Sequence, residues 1–171
     1  MRLFLFLLLP LLLAPSCADD DELTPLDQLP PATQTGENIV ACLIDGEPWV
    51  NDPNRTGEVN ISAFYDDRFN TITINSTKSI SDYTYSALGF RIVPPKIGFQ
   101  DINPFSIVYT KTTSTNSNDY LITGSTFCFV NITHLGIEER IIAGTFEGII
   151  VSENINDTIA ITDGRFDVTF F

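Results

Sequence analysis

The side chains that most often carry chemistry are scarce in this chain. Its 171 residues hold one histidine, His134, and three cysteines with no Cys-x-x-Cys spacing. Zinc sites draw on clustered His and Cys, so neither a structural nor a catalytic zinc is expected. A Ser–His–Asp or Cys–His constellation would have to pass through His134, and no local motif supplies its partners. Positive charge is scarce too: nine Lys and Arg against 22 Asp and Glu leave a formal charge of −13. Such a chain repels nucleic-acid phosphates and anionic lipid surfaces, so no nucleic-acid partner is expected. No stretch sustains a 3.6-residue apolar period, and no repeat of solenoid or propeller type is present. The oxygen-rich loops at 45–54 and 114–119 lack the spacing of an EF-hand. Carboxylates are plentiful, but the adjacent pairs Asp66–Asp67 and Glu138–Glu139 fall in expected turns, where acids favour solvation. Sequence neighbours on a strand also point opposite ways, which does not suit the paired carboxylates of glycoside hydrolysis. No enzyme activity, metal or cofactor is expected.

What the chain does have begins with an apolar run, residues 3–13, behind Arg2. It is too short to span a bilayer and is interrupted by Pro10, so residues 1–16 read as a removed signal peptide. Ala14 and Ser16 suit an ordinary signal peptidase and hence plain secretion. Cys17, however, falls at the cleavage position itself, and "APSC" resembles a loose bacterial lipobox. That resemblance implies that Cys17 becomes the acylated mature N-terminus, held by two or more chains. The "ADDDE" that follows (18–22) is similar to the signal by which Bacteroidota send lipoproteins to the outer face of the outer membrane. It serves equally as a solvated linker. Residues 17–36, with three prolines and five acids, read as a lipid-bearing cysteine and flexible tether. Largely extended at about 3.1 Å per residue, that tether would reach roughly 50–60 Å.

From residue 37 to 171 short alternating segments are broken by turn residues, which predicts an antiparallel all-β domain of about eight to ten strands. A two-layer β-sandwich is favoured, with a closed lipocalin-like barrel as the alternative. Asp45–Gly46 predicts a tight hairpin. Val59, Ile61, Ala63 and Tyr65 are expected on one face, Ile72 and Ile74 inward, and Leu88, Phe90 and Ile92 inward before Pro94 and Pro95 stop their strand. Gly144, Phe146 and Gly148 share a face, so the glycines let the ring lie close to its neighbours. Phe166 and Val168 point in, while Arg165 and Asp167 point out as a surface ion pair worth under about 1 kcal/mol. Trp49 reads as a core plug or a sugar-stacking platform. Tyr83, Tyr85 and Tyr109 are candidates to face a ligand. Cys42 and Cys128 either form a disulfide or remain buried free thiols. Asp157–Thr158–Ile159 is similar to the O-glycosylation motif of Bacteroidota, which marks Thr158. The five Asn-x-Ser/Thr sequons, at Asn54, Asn60, Asn75, Asn131 and Asn156, read as chance products of a bacterial Asn- and Thr-rich chain.

Three stretches together resemble a lipoprotein family of Bacteroidota: "LPPATQTGENIVACLIDGEPWV" (29–50), "GTFEG" (144–148) and "ITDGRFDV" (161–168). Its members open with Leu-Pro-x-Ala-Thr-Gln-x-Gly and Cys-x-x-x-Gly-x-x-Trp, and close with Gly-Thr-Phe and Gly-Arg-Phe-Asp strands. The resemblance implies an all-β fold, a lipid anchor and a bacterial envelope, and brings no activity with it. The function expected is that of a surface-anchored, non-catalytic binding or accessory module of the outer membrane. Its partners would be the membrane, through the lipid anchor, and a glycan or an outer-membrane protein. A polymerising envelope component is the first alternative and a small polysaccharide hydrolase the second. A secreted or periplasmic location stays open.

Overall fold

A computed structural model describes residues 23–81, 84–101, 107–112, 117–121, 127–152 and 156–171. The signal peptide, Cys17, the acids at 19–22 and Tyr83 lie outside the described residues. Eleven antiparallel strands are present among them: β1 (Ile39–Ile44), β2 (Glu47–Val50), β3 (Ile61–Asp66), β4 (Thr71–Ser81), β5 (Thr84–Ile92), β6 (Gly98–Asp101), β7 (Ile107–Thr112), β8 (Ser117–Leu121), β9 (Cys128–Gly136), β10 (Ile141–Ser152) and β11 (Asp157–Thr169). The excess over the eight to ten expected comes from β6, whose four residues are too few to show an alternation.

Hydrogen bonding divides at β10. Its residues 141–148 pair with β9, whereas Val151 beyond them pairs with Leu121 of β8. The fork produces two layers. One is ordered β2-β1-β11-β10-β9-β6 and the other β8-β7-β5-β4-β3. At a second corner the chain end closes on β3: the Tyr65 amide donates to the Phe171 carbonyl (2.9 Å) and the Phe171 amide to the Ala63 carbonyl (3.2 Å). The layers form a sandwich. β2 and β6 remain as edges, so the sheet does not close into a barrel.

One core fills the space between the layers, and its centre is aromatic. Phe90 of β5 lies 5.1 Å from Phe146 of β10 and 5.3 Å from Phe166 of β11, ring centre to ring centre. The rings fit because glycine stands opposite each one across the β10–β11 ladder, Gly164 against Phe146 and Gly144 against Phe166. A Cβ on Gly164 would collide with the carbonyl and ring of Phe146, and one on Gly144 with the Asn131 carbonyl and the Phe166 ring. Gly148, expected to make room for Phe146, instead makes room for Cys128. The hairpin at Asp45–Gly46 has both residues at positive φ (51° and 84°), the pattern of a type I′ turn. Val59 departs from the expectation. It lies exposed ahead of β3, in a loop whose backbone is satisfied by side chains: Asn54 Oδ1 accepts from the Asn60 and Ile61 amides (2.7 and 2.8 Å).

Cys42 and Cys128 are not bridged. Both are free and buried in this core, and burial pushes each thiol up to about 12. The disulfide alternative therefore falls, because each sulfur is packed as a small apolar group in its own strand. Two outcomes follow from this core. Native protein should leave both thiols unreacted with a maleimide at pH 7.5 and expose two on denaturation; rapid native labelling would contradict it. Gly164→Ala should cost about 1–3 kcal/mol in urea unfolding, since the added Cβ would meet the Phe146 backbone carbonyl as well as its ring.

Candidate functional site

Asp167 sits on the outward face of the first sheet, where a strand alternation leads one to expect solvent. It is only 2% exposed, because residues 33–37 lie over it. Its carboxylate accepts from the Thr33 hydroxyl (2.7 Å) and from the amides of Thr35 (2.9 Å), Gly36 (2.8 Å) and Glu37 (3.2 Å). Burial by itself would raise the Asp167 pKa. The four hydrogen bonds to its charged form outweigh that and hold the carboxyl below the usual range.

The remainder of the segment is fixed by its own chemistry. Gly36 has φ of 80°, and a Cβ there would lie 2.8 Å from Thr169 Cγ2, so the turn needs glycine. Asn38, at φ 60°, accepts from the Thr169 amide (3.1 Å) and hydroxyl (2.8 Å). Arg165, two residues before Asp167 in β11, donates from Nη1 to the Pro30 carbonyl (2.9 Å) and from Nε and Nη2 to the Asp163 carbonyl (3.2 Å each). Leu29 is buried against Ala41 and Leu43 of β1. Two expectations are corrected by this. Arg165 and Asp167 are not a surface ion pair; Asp167 is spent on the N-terminal segment, and Arg165 bridges that segment at Pro30 to the Asp163 carbonyl. Residues 29–36 are not tether but the covering of the first sheet, and ahead of them Thr24 and Asp27 close a turn of their own (Oγ1 to Oδ2, 2.6 Å).

The docked segment forms one wall of a cleft of about 540 Å³ on the same outer face, with Ala32 at its rim. The floor follows from register. Phe99 of β6, Asn131 of β9, Thr145 of β10 and Arg165 of β11 lie abreast in one row. In the next row Phe129 stands between Asp101 and Glu147. Phe99 is 84% exposed; Phe129 is also exposed, with the exposed Phe127 ring 5.5 Å away. Asp163 and Glu147 line the cleft as well. The site thus offers open aromatic faces beside carboxylates, with hydroxyl and amide groups between them. It is a surface that can hold a ligand by packing and charge together.

The residues singled out from the sequence lie elsewhere. Trp49 is 4% exposed and donates its indole N–H to Ser86 Oγ (2.8 Å), so it plugs the core and is no sugar platform. Tyr109 is 8% exposed on β7 and does not face a ligand; burial raises its phenol, and a hydrogen bond with Ser86 works the other way. Tyr85 is exposed, but on β5 of the other sheet. Thr158 is exposed at the start of β11, in strand and not in a turn. The cleft residues carried one readable signal, Phe127-Cys128-Phe129, where an inward cysteine turns both rings outward.

Asp167→Asn should lower stability by about 2–3 kcal/mol, the scale of hydrogen bonds to a charged acceptor, and expose residues 29–37 to proteases. Because the folded-state pKa is depressed, the contribution is complete above the ordinary carboxyl value of about 3.9 and is lost as pH falls through the lower folded value. The gap between wild type and variant in denaturant unfolding should therefore be constant from pH 5 to 7 and shrink below about pH 4; a gap independent of pH would contradict the clamp.

No protein-family model, no curated protein and no solved structure matches this chain.

Proposed function

We propose that this chain is a lipid-anchored, non-catalytic binding module displayed on the outer face of the outer membrane, and that it takes its ligand in the cleft of the first sheet. One observation carries the binding reading. Phe99 and Phe129 are left open beside Asp101 and Glu147, in a cleft whose wall is locked in place. Large exposed rings are costly to leave in water, and their grouping with polar groups in a concave site is the usual arrangement for recognition.

The anchor reading rests on Cys17 and the acids behind it, with an acylated cysteine followed by a short acidic spacer. The docking of residues 29–37 gives it a mechanical consequence. Only the residues ahead of Leu29 are left to span from lipid to domain, so the cleft is held nearer the membrane than a tether of 20 residues would hold it. A partner in the same membrane is then within reach. Polymerisation by strand addition has less in its favour: the edges β2 and β6 offer four residues each, β2 with Pro48 among them, and β3 is covered by the chain end.

The test is in-cell photo-crosslinking of the lipidated protein from a benzophenone side chain placed at Phe99. A Cys17→Ala control and a matching probe at Tyr85 on the other sheet complete the design. Capture of a distinct partner from residue 99 alone, lost in the unanchored control, is the expected result. Capture only of further copies of the chain, or equal capture from both sheets, would overturn the reading.

A further inference from the structure

We propose that the occupant of this cleft is a basic peptide segment, its Lys or Arg side chains seated on Phe99 and Phe129 between the carboxylates. The inference rests on the reading of the cleft as the ligand site and adds the chemistry of what enters it.

In the row Asp101–Phe129–Glu147 an exposed ring is flanked on both neighbouring strands by an acid, with no basic residue in that row. Adjacent strands lie about 4.8 Å apart, so the backbones at Asp101 and Glu147 are about 10 Å from each other with that of Phe129 between them. The face of a phenyl ring is the negative end of its quadrupole, so all three groups favour a cation in the same place. Asp163 joins Glu147 as a second carboxylate of the lining, and Asp101 stands beside it in the Phe129 row. The basic group of the lining, Arg165, is turned to the Pro30 and Asp163 carbonyls, which holds it to the wall.

An anionic ligand would meet these acids and the field of a chain at −13. A neutral saccharide would gain from the rings but would not need a carboxylate on either side of Phe129. A single ion is too small for the space, which falls within the roughly 300–1,000 Å³ of ligand pockets. A short run of peptide with one or two cationic side chains satisfies size, charge and ring together. The field of the whole chain then speeds the encounter.

The test uses the full-length protein in neutral detergent and fluorescence anisotropy. The probe is a labelled Gly-Lys-Gly-Arg-Gly peptide, with its acetyl-lysine, citrulline counterpart as the uncharged control. Wild type should bind the charged probe and not the uncharged one, and binding should weaken from 50 to 200 mM NaCl. Phe99→Ala, which removes no charge, and Glu147→Gln should each weaken it about fivefold or more, while Asp67→Asn, the same charge change in the turn between β3 and β4 of the other layer, stays within about twofold. Equal losses in Glu147→Gln and Asp67→Asn, or none in Phe99→Ala, would mean general attraction to an acidic chain and would overturn the proposal. Cellohexaose and spermine are run beside the peptide. Phe99-dependent binding of either without the peptide would overturn the peptide as occupant while leaving the cleft as the ligand site. If no probe binds and the crosslink from residue 99 also fails, both readings fall.

Discussion

A single buried carboxylate organises the outer face of this sandwich. Asp167 is taken out of water by the segment it binds, and the cost of that burial is met by a hydroxyl and three backbone amides directed at its two oxygens. Those donors are successive groups of a segment that has no regular structure of its own. Without the carboxylate they would have no acceptor on the flat face of a sheet. Remove the segment and the carboxylate returns to solvent; remove the carboxylate and the amides lose their partner. The clamp is thus mutual, and Gly36, Asn38 and Arg165 serve to bring the chain into its geometry.

The cleft depends on this. One wall is the clamped segment, and Arg165 belongs to clamp and wall together. The opposite side is built by the short β6 pairing with β9, which brings Phe99 into line with Asn131, Thr145 and Arg165. The inner face of the same strands has a different task. Phe146 and Phe166 each lie over a glycine of the neighbouring strand, and the space left by those absent side chains admits Phe90 from the other layer. Thus β10 and β11 hold the core with one face and carry the candidate site with the other.

The inner face was legible in the sequence. Period-two alternation placed Ile72, Ile74, Leu88, Phe90, Phe166 and Val168 inward, as they are, and Asp45–Gly46 marked its hairpin. The outer face was not, because alternation says which way a side chain points and nothing of what covers it. Asp167 therefore read as solvent-exposed. Residues 29–36 read as tether because prolines and the absence of a period exclude a strand or helix, yet they do not exclude docking through backbone amides to a residue 130 positions away. Tyr109 was misplaced for the opposite reason: read as facing a ligand, it is buried, and Ser86 supplies its phenol a partner inside the core, where Trp49 is the plug that one of its two readings made it. Phe99 lies on a strand of four residues, too brief for any pattern to appear.

The claim on which the rest depends is that the N-terminal segment is part of the folded domain. Amide hydrogen exchange of the full-length protein, read at Thr35, Gly36 and Glu37, tests it most directly. If Asp167 holds these amides, their protection should approach that of β11 and disappear in Asp167→Asn while the β5 amides keep theirs. Exchange at the rate of an unstructured chain in the wild type would mean that the segment is a tether after all, and that the cleft has no wall.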